Sequence, residues 1–290
     1  MKKIIILMPV YNDWESLIKL LNEINSAIND IKDCEFKCLI INDSSTLKNP
    51  EIIKPKNFQS LKIINMKENR GHARCNAFGL RYINLKEDYD YVIVMDSDGE
   101  DRPVEIKDLI KKTKENPTSS VVAKRVKRSE GPIFQTLYLV HKIITLIFTG
   151  KKINFGNYSC IRKQDVYSLV DQASLWSSFS GSLKKNLKNL NEINSIRGLR
   201  YFGPSKMSLI SLILHSFSII AVFKYTVFFR SALMIVILSF LINQIGFVSI
   251  IIQVFIVFFN LLIFLVSLRE NEKALIKSAE NILNENEITH

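Results

Sequence analysis

An α/β domain built on a mainly parallel sheet, followed by an interfacial helix and a two-helix transmembrane hairpin, is the fold class that three observations predict. From Lys2 to about Val126, short continuous apolar runs alternate with longer mixed segments, the pattern of parallel strands covered on both faces by helices. Apolar residues then accumulate after Met207, and between Ser231 and Leu268 there is not one charged residue. As one helix that stretch would reach roughly 57 Å, nearly twice the roughly 30 Å of a bilayer's hydrocarbon, so it must turn back on itself.

Taken in order, IIILMPV reads as a first buried strand. Although MKK precedes it, the run is too short for a signal peptide and carries no small-residue cleavage site. Trp14 to Ile24 places Leu17, Leu20, Leu21 and Ile24 at helical spacing, which leaves Tyr11, Asn12 and Asp13 in the loop between strand and helix. KCLII, LKIINM and YVIVMD read as further strands, with helical segments HARCNAFGLRYI and VEIKDLIKKTK among them. Ligands of such sheets sit beyond the carboxyl ends of the strands. The middle, Lys127 to Lys206, is basic and irregular, with Arg128, Lys151, Lys152, Arg162 and Arg200 among its cations, and suits an acceptor side.

MSLISLILHSFSIIAVFKY reads as an interfacial helix, with the lone His215 in a packing role. The hairpin then runs from about Tyr225 to Ile242 and from about Phe247 to Leu268, turning at Asn243, Gln244 and Gly246, with Arg230 snorkelling toward the interface. Lys206, Lys224 and Arg230 before it, and Arg269, Lys273 and Lys277 after it, put both ends in the cytoplasm. The expected organisation is a catalytic domain over 1–206, an interfacial helix over 207–224, the hairpin over 225–268 and a cytoplasmic tail over 269–290 whose residues after Lys277 look like a polar helix end. A multi-pass protein of a bacterial-type inner membrane with a cytoplasmic catalytic domain follows.

The net charge of +11 directs the surface toward anions, but no nucleic-acid recognition motif accompanies it. Cys34, Cys38, Cys75 and Cys160 form no C-x-x-C pair and read as reduced thiols. The strongest chemical signal is YVIVMDSDGED: a buried strand that ends in Asp96, Asp98 and Glu100, oxygen ligands suited to Mg2+ or Mn2+ shared with a diphosphate. A metal there neutralises the charge developing on a nucleotide leaving group.

These residues resemble the family 2 glycosyltransferases of the GT-A fold, and most closely the branch of dolichyl- and polyprenyl-phosphate sugar synthases, over nearly the whole chain. PVYND resembles the opening P-x-Y-N-E/D, which implies nucleoside contacts for Pro9, Tyr11 and Asp13. INDSS resembles D-D-G-S and carries over Asp43 as a base or ribose contact. NRGHARCNAFGL resembles N-x-G-x-x-x-A-x-x-x-G, with Gly71 and Ala77 near the nucleotide. MDSDGED resembles D-A-D-L-Q, making Asp96, Asp98 and Glu100 the metal and diphosphate group. Arg125 stands where the branch has a basic residue, and RYFGPSKM resembles R-x-x-G-x-S-K-Y, with Arg200, Ser205 and Lys206 beside the phosphates. The resemblance implies a UDP- or GDP-linked sugar donor, a polyprenyl phosphate acceptor and membrane attachment, and is compatible with a homo-oligomer.

The chain departs from the pattern where Asn42 replaces an acid, Ser44 a glycine and Glu100 a glutamine. In FGNYSCIRK, Asn157 stands for an acid and Ser159 for an arginine, while Arg162 remains. A hydroxyl acceptor would need a general base, whereas a phosphate is already an anionic nucleophile. Between Glu130 and Asn191 the only carboxylates are the isolated Glu130, Asp165 and Asp171, which favours the lipid phosphate. QASLW resembles Q-x-x-R-W of processive synthases but has Leu175 for the arginine, so Trp176 reads as packing. The rival readings are transfer to a hydroxyl of a lipid-linked saccharide, for which Asp165 would be the base, and a non-catalytic nucleotide-binding membrane scaffold.

Overall fold

The alternation of apolar runs and helices in the first half of the chain folds into one sheet with helices on both faces. The computed structural model describes residues 1–127, 132–204 and 208–288. The strands β1 (Lys2–Val10), β2 (Cys34–Asn42) and β3 (Phe58–Met66) enclose helices α1 (Trp14–Ile28) and, after β3, α2 (His72–Lys86). Then follow β4 (Tyr91–Val94), α3 (Ile106–Glu115), β5 (Ser120–Lys127), α4 (Pro132–Thr149) and β6 (Phe155–Arg162). Three short helices, α5 (Lys163–Leu169), α6 (Ala173–Ser177) and α7 (Phe179–Asn186), lead to β7 (Leu190–Ile196).

Side chains of β1 sort by parity, as a strand buried on both faces requires. Ile4, Ile6, Met8 and Val10 pack with α1 and α3, whereas Ile5 and Leu7 pack with α2. Helix α2 comes close to β1 because Gly79 lies over Leu7; a Cβ at that position would run into both Leu7 methyl groups.

The sheet differs from the expectation of a mainly parallel one. Its order is β7-β5-β6-β4-β1-β2-β3-β8. The centre, β3-β2-β1-β4, is parallel, and so is β5 with β7, but β6 runs antiparallel to both β4 and β5. The eighth strand comes from the segment expected to be a polar helix end. After α12 (Glu272–Ile276) and a 3-10 turn, β8 (Ile282–Ile288) pairs antiparallel with the edge of β3. Its polarity misled because it is an edge strand held by polar side-chain bonds to β3 and α2: Asn65 of β3 donates to Asn284 at 2.6 Å and Tyr82 of α2 to Glu285 at 2.7 Å.

Between β7 and α12 lie α8 (Leu209–Ala221), α9 (Lys224–Phe240), the short α10 (Ile242–Ile245) and α11 (Phe247–Ser267). Helix α11, 21 residues and about 32 Å at 1.5 Å per residue, is long and apolar enough to cross a membrane. Helices α8 and α9 meet at 83°. α9 and α11 lie antiparallel: Ser249 donates to the carbonyl of Leu238 at 2.6 Å at one end, and Lys224 pairs with Glu270 at 2.9 Å at the other. α4 joins this group through Phe148 stacked on Phe259, ring centroids 4.3 Å apart. Arg230 donates to the carbonyl of Ile147 at 2.8 Å, satisfying an acceptor at the end of α4.

Candidate active site

Parallel strands β1, β2 and β4 deliver their following loops to one edge of the sheet, so Asp13, Asp43 and the segment Asp96–Asp101 come together from distant parts of the sequence. Asp96 sits two residues beyond β4. Its Oδ1 is 3.0 Å from His72 Nε2 at the start of α2 and accepts from Asn157 of β6 at 3.0 Å, while its backbone N–H donates to Asp101 at 2.9 Å. Asp98 accepts from the backbone of Glu100 at 3.0 Å and pairs with Arg200 at 2.9 Å. The same guanidinium pairs with Asp13, so Arg200 bridges two of the predicted site carboxylates.

The segment that carries Arg200 follows β7 and lies on the acidic loop by main-chain bonds. Gly198 N–H donates to the Glu100 carbonyl at 2.8 Å, and Tyr201 N–H to that of Asp98 at 3.0 Å. The Tyr201 ring covers Gly99, whose φ of +90° no bulkier residue adopts readily, and its hydroxyl bonds Glu23 of α1. Glu100 is turned to Arg197. Among the described residues no set of three His, Cys, Asp or Glu side chains stands at metal-ligand spacing.

Burial pushes the Asp98 carboxyl up, and the charge of Asp96 adds to it, to about 6 despite Arg200 and Arg197. Asp101 rises to about 8 for the same two reasons, burial first. For Asp96 burial works in the same direction, yet His72, Arg125 and the Asn157 amide outweigh it and hold it well below the usual carboxylate range. Negative charge is therefore crowded at the end of β4. Hard oxygen donors from Asp96 and Asp98 in that surplus fit Mg2+ or Mn2+, which commonly takes one or two carboxylates and fills its shell with water and substrate phosphate.

Asp43 faces the same edge in a different role. Both of its oxygens accept from the NRG turn, at 2.8 Å from Arg70 N–H and 2.9 Å from Gly71 N–H, which fixes the first turn of α2. Asn42, in place of an acid, belongs to a neutral amide ladder with Asn65 at 2.7 Å. Ser44 keeps φ at +57°, the left-handed backbone a glycine would serve, and its hydroxyl donates to the Lys67 carbonyl at 3.2 Å. Pro9 is buried in β1, Ala77 in α2, and Tyr11 is exposed beside the loop. Arg125 lies across Gly156, where a Cβ would collide with its guanidinium. Ser205 and Lys206, like Arg128 and Glu130, lie outside the described residues.

The sequence reading did not single out His72, Asp101, Arg197 or Tyr201. His215, assigned a packing role, lies in α8 within electrostatic reach of His72, Arg125 and Asp96. Asp165 is remote: buried, it accepts from Arg162 at 2.7 Å and from Ser120 at 2.6 Å, and Arg162 pairs in register with Tyr91 at the far end of β4 from Asp96. Asp171 is spent on Arg81 at the surface. Trp176 is buried in the core beneath Arg74.

Residues 5–179 match the model of glycosyl transferase family 2. The undecaprenyl-phosphate 4-deoxy-4-formamido-L-arabinose transferase of Photorhabdus laumondii is 27% identical over 223 residues, which cover 73% of this chain and 65% of that protein. The transferase of the same name from Salmonella choleraesuis is 27% identical over 220 residues, covering 73% and 64%. The chain thus spans just under two thirds of the length of these relatives. Among solved structures, glucosyl-3-phosphoglycerate synthase of Mycobacterium tuberculosis with Mn2+, UDP-glucose and phosphoglyceric acid superposes with a TM-score of 0.53 at 14% identity, covering 78% of this chain and 79% of that one. TarS of S. aureus with UDP-GlcNAc gives 0.51 at 14%, covering 83% and 73%. At such identities the likeness is one of fold.

Proposed function

The chain belongs to glycosyl transferase family 2 and is a glycosyltransferase of GT-A fold, and from that premise we propose that it moves a sugar from a nucleotide-sugar to a polyprenyl phosphate of the undecaprenyl type at the cytoplasmic face of a membrane. The observation that carries the reading is the position of the carboxylates. The charges of Asp96 and Arg125 reach His215 of α8, so the acidic end of β4 stands within electrostatic range of the helix that precedes the apolar α9 and α11. A lipid-borne acceptor meets the donor there. The names of the relatives support an undecaprenyl phosphate acceptor, and the UDP-sugars bound by the structural neighbours support a nucleotide-sugar donor.

In the mechanism, Asp96 and Asp98 would hold Mg2+ or Mn2+, with Glu100 joining only by leaving Arg197. A cation bound there would supply charge neutralisation to a diphosphate leaving group. Arg200 exchanges its carboxylate partners for phosphate oxygens, and Arg125 and Lys206 add positive charge. Asp13, Tyr11 and Pro9 face the nucleoside, and Asp43 holds the Gly71 turn near Ala77 in place for it. The acceptor phosphate attacks the anomeric carbon in one displacement, with inversion, and needs no general base. α8 lies at the interface and α9 with α11 forms the membrane hairpin, with 1–206 as the catalytic domain and a cytoplasmic segment from 269 that returns to the sheet. Asp165, the base a hydroxyl acceptor would call on, is tied to Arg162 and Ser120.

The test is turnover of the detergent-solubilised chain with Mn2+ or Mg2+, a panel of UDP- and GDP-sugars and undecaprenyl phosphate, beside Asp96→Ala. Metal-dependent glycosylation of the lipid phosphate that is lost in the variant is expected. Donor binding without a lipid product, or transfer to a saccharide hydroxyl instead, would refute it.

A further inference from the structure

The segment that follows β7 lays its own cations on the carboxylates at the end of β4. Both oxygens of Asp98 are engaged: Oδ1 accepts from Glu100 N–H at 3.0 Å and Oδ2 from Arg200 Nη1 at 2.9 Å. Arg200 Nη2 also pairs with Asp13, and Arg197 pairs with Glu100. None of these five side chains is more than 18% exposed, so the pairs stand largely out of water. A guanidinium thus occupies two of the three carboxylates, Asp98 and Glu100, expected to hold a divalent cation.

The same segment is fastened to α1. Tyr201 N–H donates to the Asp98 carbonyl at 3.0 Å, the ring lies over Gly99, and the hydroxyl donates to Glu23. Lys19, one turn before Glu23, sits over the Tyr201 ring with Nζ 4.4 Å from its centroid. Arg200 Nε donates to the Phe202 carbonyl at 3.0 Å, so the guanidinium is braced by the segment and moves with it. Gly203, at φ +62° and with no atom near enough to meet a Cβ, ends the stretch. Outside it lies an open groove lined by Ile18, Lys19, Glu23, Val104 and Phe202, which leaves room for it to lift. A cation at Asp98 has to take Oδ2 from Arg200, so closure lowers cation affinity by the fraction of molecules that are open. A diphosphate offers the released guanidinium a two-pronged partner. Cation and nucleotide therefore favour the same open state, and each raises the affinity of the other by one common factor.

We propose that residues 197–203 form a latch that couples cation binding to nucleotide binding, with Glu23 and Tyr201 as positioning residues that set how firmly it is closed. The latch rests on the donor site proposed above and adds its regulation. Arg200 is the coupling group, because it alone bridges Asp98 and Asp13. Glu23, 43% exposed on α1, acts only through Tyr201.

The experiment measures Mn2+ affinity of the full chain in uncharged detergent, from the paramagnetic resonance signal of the unbound ion, without and with UDP, or GDP where that binds more tightly. In the native chain the nucleotide should raise Mn2+ affinity by about tenfold or more. Glu23→Ala, a helix-favouring change at an exposed position, should raise Mn2+ affinity without nucleotide about threefold and shrink the nucleotide effect by the same factor, as loss of one half-exposed hydrogen bond to a charged group predicts. The sign is diagnostic, since removing an acidic charge by itself weakens attraction for a cation. Tyr201→Phe, which removes the same hydrogen bond without changing charge, should match it. Arg200→Gln should raise Mn2+ affinity without nucleotide about tenfold and lower the nucleotide effect to a similar extent. Mn2+ affinity that fails to rise in either Glu23→Ala or Tyr201→Phe overturns the latch, and a rise in both with an undiminished nucleotide effect overturns the coupling. Because the readout is binding, an intact latch response without transfer to undecaprenyl phosphate counts against the proposed acceptor alone. Metal-dependent transfer with no latch response counts against the latch alone.

Discussion

Replacing Asp98 by asparagine should make the protein more stable while removing its activity. In the fold the Asp98 carboxyl is raised from 3.8 to about 6, by burial and by Asp96. At about 1.4 kcal/mol per pH unit, keeping it ionised near neutral pH costs about 3 kcal/mol. An amide removes that cost, which is already net of the attraction to Arg200 at 2.9 Å, and keeps an acceptor for Glu100 N–H. The gain is about 2–3 kcal/mol, or a rise of about 4–9 °C in melting temperature for a chain of this size. A carboxyl whose folded value lies above its unfolded value favours the fold when protonated, so native stability is full below about pH 4 and is lost as pH rises through about 6. The advantage of the variant should therefore open across that interval and be absent at its acid end. Thermal unfolding in detergent at pH 4 and pH 7.5, without divalent cations, reads it directly. Added Mn2+ should then stabilise the native chain more than the variant. A variant that melts at or below the native chain at pH 7.5, or an identical gap at both pH values, would refute the idea that the end of β4 carries surplus negative charge for a cation to relieve.

Glu87 accepts from Lys62 at 2.7 Å and Lys37 at 3.3 Å; burial opposes its ionisation, but the two lysines hold it below the ordinary carboxylate value. Its contribution is present above about pH 4.5 and lost as pH falls through the depressed value, so Glu87→Gln should cost about 1 kcal/mol at pH 7 and nothing in strong acid, measured by urea unfolding at the two pH values. Gly79→Ala drives a methyl group into Leu7 and should destabilise by about 1–3 kcal/mol in the same assay, with a smaller loss in a Leu7→Val background; equal losses in both would contradict the close approach of α2 to β1. Asp165→Asn should lower stability by about 1–3 kcal/mol, because Arg162 and Ser120 lose a charged partner, and should leave turnover per folded molecule unchanged. A fall of more than about tenfold in turnover would restore Asp165 as a catalytic base.

How far the sequence could be read depended on whether a residue's role is local. YVIVMD announced a buried strand with carboxylates at its end, and β4 with Asp96 beyond it is where that run predicts. The uncharged stretch from Ser231 to Leu268 reads as helices that turn back, and α9 and α11 lie antiparallel, α11 being long and apolar enough to cross a membrane. Partners fixed by the fold were not legible. Nothing near Arg200 in the chain points to Asp13, 187 positions away, and nothing near Glu100 points to Arg197. His72 gave no signal because a histidine opening a helix is ordinary until β4 and β6 bring Asp96 and Asn157 to it. Asn284 and Glu285 looked like solvent-facing polar residues because the strand they form exists only through its pairing with β3. The departures Asn42 and Ser44 became intelligible only as an amide ladder and as a left-handed turn that a serine fills.

The pairing of β8 with β3 also bears on the order in which the chain is made. Asn65 and its partner Asn284 are separated by 219 positions, with every apolar helix between them. At about 5–20 residues per second, roughly 10–45 s elapse between synthesis of the two strands. Throughout that interval β3 is an open template for any extended segment nearby, including the β3 of another nascent chain. The sheet gains its eighth strand only after α9 and α11 have been made, so a chain that stops within them leaves the β3 edge unpaired.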